Sequence, residues 1–230
     1  MLEIRTLDVA IAGVPVLHGV DLAVAHGVVA ALVGHNGAGK TTLMRAIMGL
    51  VAARDGVIRF DEVDLRGLPA HARAGLGIGY MPEDRRLVPE LTVEENVLLP
   101  VWASGQDGAA GRLAWIYEII PEVRDLRARK ASQLSGGQQK LAALARALLA
   151  GRRLLLLDEP FEGVAPVLAR RLAEVIARLK EEGLAVLLSE SDYTHSLDLL
   201  DRLFVIERGV VEARPARPLP SDDVAVGERS

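Results

Sequence analysis

Residues 34–42, Gly-His-Asn-Gly-Ala-Gly-Lys-Thr-Thr, constrain the fold of this chain more than any other stretch. They fit the phosphate-loop pattern G-x-x-x-x-G-K-S/T, with all four fixed positions occupied. The apolar residues 28–33 predict a buried strand before the loop, and residues 43–48 predict the start of a helix after it. Glycines let such a loop fold around an anion with its N–H groups pointing inward, and the helix N-terminus adds its dipole. We therefore expect a site for a nucleoside triphosphate.

Two of the fixed loop residues have expected chemical tasks. Lys40 would neutralise the outer phosphates, and the Thr41 hydroxyl would hold Mg²⁺. The alternative, a glycine-rich turn that binds nothing, would make both flanking elements and all four fixed residues coincidental. The loop residues predicted to bind the nucleotide are Gly34, Asn36, Gly37, Ala38, Gly39, Lys40, Thr41 and Thr42.

Composition and charge exclude several other classes of protein. The chain has 230 residues, half of them apolar, which is enough for a full hydrophobic core. Its net charge of −4 argues against a protein that coats nucleic acid, and we expect no nucleic-acid partner. Without cysteine there is no disulfide and no thiolate metal site. No secretory signal and no apolar run of about 18 residues is present, so we expect a chain that is soluble by itself.

The pattern of strands and helices predicts a doubly wound α/β protein. Residues 83–150 carry little strand signal, so we expect a helical subdomain there, inserted between strands of the nucleotide-binding sheet. Within it, residues 104–111 predict a flexible loop, and residues 214–230 predict a disordered tail. Strands are predicted at 2–12, 16–25, 28–33, 56–60, 77–80, 154–157, 185–188 and 203–206. Helices are predicted at 43–50, from Thr92, at 112–120 and 138–150, and from Pro166 to Gly183.

Two carboxylates, Asp158 and Glu159, directly follow the predicted strand at residues 154–157. The carboxyl end of a parallel strand lies at the crevice where such sheets bind ligands. Asp158 suits coordination of Mg²⁺ through water, and Glu159 suits activation of the water that attacks the γ-phosphate. An acidic pair can also simply end a strand or cap a helix, but the phosphate loop upstream favours the catalytic interpretation.

A second glycine-lined helix start follows Leu134, at Ser135, Gly136, Gly137 and Gln138. A helix N-terminus of this kind is a second candidate anion site in one chain. One nucleotide seldom needs two such sites. Two copies arranged head to tail would use them, since each helix start could close on the triphosphate held by the other copy.

Leu-Ser-Gly-Gly-Gln between a phosphate loop and a Leu-Leu-Leu-Leu-Asp-Glu-Pro strand resembles the ATP-binding cassette (ABC) ATPases over residues 1–213. The resemblance implies an ABC-type P-loop NTPase with an N-terminal antiparallel β subdomain, a mostly parallel core sheet and the inserted helical subdomain. It also implies an ATP-sandwiched dimer and Mg²⁺-dependent hydrolysis coupled to transport. By motif, Ser135, Gly136, Gly137 and Gln138 would contact the ATP of the partner subunit.

Two segments resemble motifs in the ATPase subunits of bacterial importers of branched-chain amino acids and related small compounds. They are Tyr80-Met81-Pro82-Glu83-Asp84-Arg85-Arg86 and residues 163–166, Gly-Val-Ala-Pro. Most ABC subunits have Gln in place of Glu83. This acid would add negative charge near Mg²⁺ or mark a hinge between the lobes, or it is a plain exposed loop acid.

The same resemblance implies a set of partners and a location. The chain would be the second ATPase subunit of such an importer, in a homo- or heterodimer. It would work with membrane permease subunits, and indirectly with a periplasmic solute-binding protein, at the cytoplasmic face of the inner membrane.

Three positions bear on how well such a site would work. The adenine-stacking aromatic of the family would fall at Ile11, which offers less than an aromatic platform. The switch histidine would fall at Ser191, which we expect to reach the γ-phosphate only through a water. His195 is a candidate substitute or simply a surface helix residue. These departures raise an alternative function: a regulatory subunit that binds nucleotide and hydrolyses it weakly.

Three aromatic residues in the helical region have two interpretations. Trp102, Trp115 and Tyr117 are either core residues or the lining of a groove for a short helix of a membrane subunit. Arg85 and Arg86 are either solvated charges or part of that contact. ABC proteins of DNA repair or translation are a further alternative, but they carry paired cassettes, coiled-coil arms or basic patches that this chain lacks.

Overall fold

Alternating apolar residues build an antiparallel sheet from the first part of the chain. The structure is a computed structural model that describes residues 1–104 and 109–215. In β1, Leu2, Ile4, Leu7 and Val9 are buried while their neighbours are more exposed, which is the pattern of a sheet with one covered face. The order is β2-β1-β4-β5. The strands are β1 (Leu2–Ile11), β2 (Val14–Val24), β4 (Ala53–Phe60) and β5 (Val63–Asp64).

The second sheet is parallel except for one edge strand. Its order is β10-β9-β3-β8-β7-β6, and only β10 runs antiparallel to its neighbour. Every residue of β7 and β8 is buried, as continuous apolar runs require when both faces of a sheet are covered. The strands are β3 (Val29–Val33), β6 (Ile78–Met81), β7 (Leu154–Asp158), β8 (Ala185–Glu190), β9 (Arg202–Glu207) and β10 (Val210–Arg214).

Two hydrophobic cores lie on opposite faces of this parallel sheet. Leu155 and Leu157 pack into the core formed with the later helices, whereas Leu154 and Leu156 pack into the core formed with the first helix and the antiparallel sheet. The period of two along β7 thus divides one apolar run between two cores. The helices are α1 (Lys40–Ile47), α2 (Ala70–Gly75), α3 (Val93–Ser104), α4 (Ala109–Ile119), α5 (Pro121–Asp125), α6 (Gly136–Ala150) and α7 (Pro166–Glu181).

Helices α3 to α6 lie between β6 and β7, within the range predicted for the helical subdomain. The capping box expected at Thr92 is present. The Thr92 N–H and hydroxyl donate to the Glu95 carboxylate at 2.7 and 2.8 Å, and the Glu95 N–H donates to the Thr92 hydroxyl at 3.2 Å. Across residues 1–104 and 109–215, none of the helices combines the length and the apolar character needed to cross a bilayer.

Several predicted boundaries differ from the structure. The loop predicted at residues 104–111 is helical at both ends, because α3 reaches Ser104 and α4 begins at Ala109; residues 105–108 lie outside the described part. Strand β10 continues through Arg214, one residue beyond the predicted domain end at residue 213, and the domain bounds stay a prediction. The sequence did not predict β10, because its residues are mostly exposed and show no apolar pattern. The strand forms through its pairing with β9. The predicted tail beyond residue 215 lies outside the described residues.

A buried arginine holds the end of the helix that follows the phosphate loop. Arg73 is buried, and its guanidinium donates to the carbonyls of Ala46, Ile47 and Leu68 at 2.7–2.9 Å. The first two carbonyls belong to the last turn of α1, where helical N–H donors run out; the Ala46 carbonyl also accepts the Gly49 N–H at 3.1 Å.

We predict that Arg73→Met lowers the free energy of unfolding by about 2–4 kcal/mol, because it removes the buried guanidinium that donates to these three carbonyls. Urea unfolding measures this change. Arg170→Met, at an exposed position of α7, is the matched control and should change stability by less than about 0.5 kcal/mol. Equal effects of the two substitutions would show that Arg73 does not hold α1.

Candidate nucleotide-binding and hydrolysis site

The carboxyl ends of four neighbouring parallel strands meet at one edge of the second sheet. Strand β3 leads into the phosphate loop, β7 ends at Asp158, β8 ends one residue before Ser191, and β6 ends two residues before Glu83. Parallel strands point the same way, so residues far apart in sequence emerge side by side at this edge. The edge is where the predicted site residues gather.

The phosphate loop has the backbone geometry that an anion site requires. Gly37 and Gly39 have φ values of 83° and 114°, in the left-handed region that favours glycine. A side chain at Gly34 would lie 2.3 Å from the carbonyl oxygen of Ile206, so only glycine fits there. The loop opens onto a cavity of about 340 Å³ that Glu83 and Glu159 also line. Loop residues around this cavity are Asn36, Gly37, Gly39, Lys40, Thr41 and Thr42.

Lys40 is buried at the start of α1 and is paired with the predicted catalytic acid. Its ammonium group lies 3.0 Å from a carboxylate oxygen of Glu159. It also donates to the backbone carbonyls of Gly34 and His35 and to the Ser191 hydroxyl. A buried charge needs partners of this kind. A phosphate entering the cavity would therefore have to compete with Glu159 for the charge of Lys40.

Asp158 is fully buried, and its carboxylate accepts hydrogen bonds from hydroxyl groups on three different elements. The Thr41 hydroxyl at 3.2 Å and the Ser189 hydroxyl donate to one carboxylate oxygen, and the Tyr80 hydroxyl donates to the other at 3.1 Å. Burial, together with the charge of Asp158, raises the pKa of Tyr80, so the phenol stays protonated as a donor. Sequence reasoning gave Tyr80 no role beyond its place in a motif. A polar group near the end of a buried parallel strand was the signal that it carried.

The residues around Asp158 fit a magnesium ion. Thr41 and Asp158 present oxygen atoms, the ligands that Mg²⁺ prefers. In the described residues, no three His, Asp or Glu side chains converge to hold a metal. This is compatible with Mg²⁺, which commonly takes one or two protein oxygens and completes its shell with phosphate and water.

Glu159 sits in a strained but well-held conformation. Its φ of 49° lies in the left-handed region, and its N–H donates to both the carbonyl and the hydroxyl oxygen of Ser189 at 3.0 and 3.2 Å. Its carboxylate accepts the Ser191 N–H at 3.1 Å and the Ser191 hydroxyl at 2.8 Å. Ser191 also contacts Asn36, with 2.8 Å between the two side-chain oxygens. The residue at the predicted switch position is therefore bound directly to the predicted catalytic acid.

Glu83 is exposed, yet it lines the cavity beside the other acids. The pKa of Glu83 is raised, first by the partial loss of water around its carboxyl group in the cavity and then by the charges of Glu162, Asp158 and Glu159. Such a cluster of negative charge attracts a cation. The predicted role of Glu83 near Mg²⁺ stays a prediction with this electrostatic support.

Two further predicted residues lie at the edges of the site. Ile11 is 44% exposed at the end of β1 and pairs with the exposed Val14, so the two form an apolar surface that suits contact with a base. His195 was expected on a surface helix and instead lies in an exposed turn. Its ring centroid is 5.9 Å from that of Phe161, two residues after Glu159.

Ser135, Gly136, Gly137 and Gln138, which we call the signature residues, lie around a separate cavity of about 420 Å³. Ser135 caps α6: its hydroxyl accepts the Gln138 N–H at 3.3 Å, and the Gln138 side chain accepts the Ser135 N–H at 3.0 Å. Gly136 and Gly137 line the same cavity, and no phosphate-loop residue does. This separation is what the hypothesis of two composite sites in a dimer requires.

Lys140 and Arg85 join the signature to the rest of the site, and sequence reasoning missed both links. Lys140 is buried and donates to the carbonyls of Glu159 and Glu162 at 3.1 and 2.7 Å. Burial, and then the charge of Arg85, lowers the pKa of Lys140 to about 8. Arg85 donates to the Gly136 carbonyl at 3.2 Å. A lysine one turn into a helix gives no sequence signal of this kind.

An inter-lobe groove of about 320 Å³ separates the helical region from the sheets. Trp102, Trp115 and Tyr117 do not line it, and a groove at these aromatic residues stays a prediction. Trp115 and Tyr117 instead pack partly buried against the core, with hydrogen bonds to Glu182 and Glu94 at 2.7 Å. We define the groove by the residues Arg45, Met48, Leu50, Ala74, Ile78, Tyr80, Pro82, Arg86, Pro100, Arg146, Ala147 and Ala150.

A phosphate loop, two acids at the end of β7 and a glycine-lined helix start on this fold define an ATP-binding cassette. Residues 17–162 match the family model described as ABC transporter, and the chain therefore belongs to the ABC transporter family, as an ATP-hydrolysing subunit of a transporter.

Relatives with named roles match most of the chain. It is 37% identical over 193 residues to the high-affinity branched-chain amino acid transport ATP-binding protein BraG of Pseudomonas aeruginosa, covering 84% of this chain and 83% of that protein. It is 33% identical over 227 residues to the lipopolysaccharide export system ATP-binding protein LptB of Escherichia coli K12, covering 97% and 94%.

Solved structures support the fold. A nucleotide-free ATP-binding cassette from an ABC transporter is similar with a TM-score of 0.80 at 28% identity, covering 92% of this chain and 89% of that one. A dimeric post-hydrolysis cassette bound to ADP and phosphate has a TM-score of 0.84 at 24% identity, covering 95% and 100%, and shows the fold alone.

A buried glutamate beneath the site makes stability depend on pH. Glu190 is the last residue of β8, and within the described part of the chain its Oε1 atom has no hydrogen-bond partner. Burial, and then the charge of Glu159, raises its pKa to about 8. The folded chain thus keeps this proton above the pH at which the unfolded chain has lost it, so stability falls as pH rises towards 8.

We predict that Glu190→Gln, which mimics the protonated acid, raises the melting temperature by a few degrees at about pH 9 and changes it little at about pH 5. Thermal unfolding at both pH values measures the difference. Glu62→Gln, at an exposed position, is the control and should give no pH-dependent difference. A pH-independent effect of Glu190→Gln would show that Glu190 is ionised in the folded chain.

Proposed function

We propose that this chain is the Mg²⁺-dependent ATPase subunit of a bacterial ABC importer of branched-chain amino acids or related small compounds. The observation that carries the ATPase chemistry is the ion pair of Lys40 and Glu159 at the mouth of the phosphate loop. This pair supports the proposal because Lys40, the proposed phosphate-binding cation, and Glu159, the proposed base, lie around one cavity of a size suited to the end of a nucleotide.

The proposed roles follow from this geometry. Lys40 and the loop amides bind the phosphates and release Glu159 from its ion pair. Freed of Lys40, Glu159 accepts a proton from the attacking water, while Ser191 holds its carboxylate through two hydrogen bonds. Thr41 and Asp158 would hold Mg²⁺, which would neutralise charge on the phosphates, and Glu83 adds negative charge nearby. The apolar surface at Ile11 would take the adenine.

A dimer would complete each site. The signature residues Ser135, Gly136, Gly137 and Gln138 line a cavity away from the chain's own phosphate loop, so they are available to the ATP of a partner. We propose residues 1–213 as one ATP-binding domain, with the helical subdomain at about 83–150. The inter-lobe groove is the proposed contact with a membrane permease, which would hold the subunit at the cytoplasmic face of the inner membrane. A periplasmic solute-binding protein would act through that permease.

Two particular functions are candidates for this chain: the ATPase subunit of an importer and that of an exporter. The motif from Tyr80 to Arg86 and the residues Gly163 to Pro166 support the importer, as does the greater identity to BraG. The match to LptB covers more of both chains and supports lipopolysaccharide export as a second candidate. We favour the importer because its support includes motifs beside the site.

A regulatory subunit with weak hydrolysis is the alternative for the chemistry. Ser191 lacks the charge and reach of a histidine, which motivates this alternative. Its direct bonds to Glu159 favour hydrolysis instead, since they orient the base without a histidine.

We predict that the purified chain hydrolyses ATP, and that Glu159→Gln reduces the turnover by about 100-fold or more because the base is lost. The variant should bind ATP at least as tightly as the wild type, because Lys40 no longer pairs with a carboxylate. Phosphate release and fluorescent ATP binding measure the two quantities. Glu62→Gln is the control. Tight ATP binding by a wild type without turnover would support the regulatory alternative, and no binding would overturn the proposal.

We predict that deletion of this gene reduces uptake of radiolabelled leucine, and that the wild-type gene restores it while the Lys40→Ala variant does not. The reason is that Lys40 is the cation on which phosphate binding depends. Normal leucine uptake together with a loss of surface lipopolysaccharide would favour the export function.

A further inference from the structure

One side chain spans the distance between the inter-lobe groove and the buried carboxylate of the site. Tyr80, on β6, lines the groove together with Ile78 of the same strand. Its hydroxyl donates to the Oδ2 atom of Asp158 at 3.1 Å. Arg45 lines the groove as well, and its charge acts on the same hydroxyl. Tyr80 is half-buried, so part of the residue stays open to whatever fills the groove.

We propose that Tyr80 is a positioning residue that links the inter-lobe groove to Asp158, so that filling the groove changes the affinity of the ATP site for its divalent cation. The inference rests on the proposed Mg²⁺-ATP site. It assigns a residue through which that site responds to a bound protein.

The argument for positioning comes from the directions in which Asp158 is held. The hydroxyls of Thr41 and Ser189 both donate to its Oδ1 atom, whereas among the described residues it is the Tyr80 hydroxyl that donates to Oδ2. A carboxylate fixed at one oxygen can still rotate, and the second contact fixes its plane. Partners that orient a metal-binding group in this way contribute to metal affinity although they never touch the metal.

The argument for coupling comes from the short path between the groove and Asp158, which consists of the Tyr80 side chain held on a rigid strand. Tyr80 lies on a strand of the parallel sheet and pairs with Leu156, two residues before Asp158. The strands themselves are therefore poorly placed to move, and the side chain is the part that a groove occupant can shift. Arg45 extends the same path, because it lines the groove and an occupant can shift its charge relative to the Tyr80 hydroxyl.

We predict that Tyr80→Phe weakens Mn²⁺ binding to the ATP-loaded chain by about tenfold, while binding of ATP without metal is unchanged. Mn²⁺ substitutes for Mg²⁺ here, and the electron paramagnetic resonance signal of free Mn²⁺ measures its binding without any turnover. Tyr117→Phe is the matched control, because it also removes a phenol–carboxylate hydrogen bond, to Glu94, outside the site.

The control should stay within about twofold of the wild type. A Tyr80→Phe chain that binds Mn²⁺ within about twofold of the control, or more tightly, would overturn the positioning role. A wild type that binds no Mn²⁺ with ATP would instead overturn the proposed metal site, so the two failures are distinguishable. Metal-free ATP binding reports that the variant is folded.

The absence of cysteine allows the groove itself to be filled chemically. Leu50 lines the groove and is 53% exposed, so Leu50→Cys can carry a bulky maleimide there. We expect this label to shift Mn²⁺ affinity by about threefold or more when Tyr80 is present, and not in the Tyr80→Phe background. Label on Val63→Cys, 37% exposed and away from the groove, should have no effect. No shift, or an equal shift in both backgrounds, would overturn the coupling.

Discussion

The buried ion pair between Lys40 and Glu159 is the interaction on which the site depends. Each of these charges would be costly to bury alone, and each satisfies the other. In the proposed mechanism a triphosphate would offer Lys40 a stronger partner and so release the carboxylate of Glu159. The pair would then couple nucleotide binding to activation of the proposed base.

Around this pair, hydrogen bonds impose order on two neighbouring acids. Ser189 donates its hydroxyl to Asp158 and accepts the N–H of Glu159, so one residue of β8 positions both. The left-handed backbone of Glu159 costs about 1 kcal/mol, and these bonds offset that cost. Lys140 adds a contact from the signature helix to the carbonyl of Glu159. On our proposals, a dimer partner and an occupant of the groove would act on the same pair of acids from two sides.

Much of this arrangement was predictable from sequence because its signals are local. The phosphate loop, the apolar run of β7 and the capping box at Thr92 each fit a pattern of a few residues. Other features were not predictable, because their causes are distant. Strand β10 exists through its pairing with β9, and no local pattern marked the residues that line the inter-lobe groove. The hydrogen bonds of Trp115 to Glu182 and of Tyr117 to Glu94 also join distant positions of the chain.

The sequence by itself determined the family, the phosphate loop and the two acids, because glycine spacing and strand-terminal carboxylates act through the local backbone. Only the tertiary structure decided which groups reach those acids. Ser191 bonds to Glu159 across 32 positions of sequence, and Tyr80 bonds to Asp158 across 78. Such contacts depend on the order of strands in a sheet, and no local pattern encodes that order.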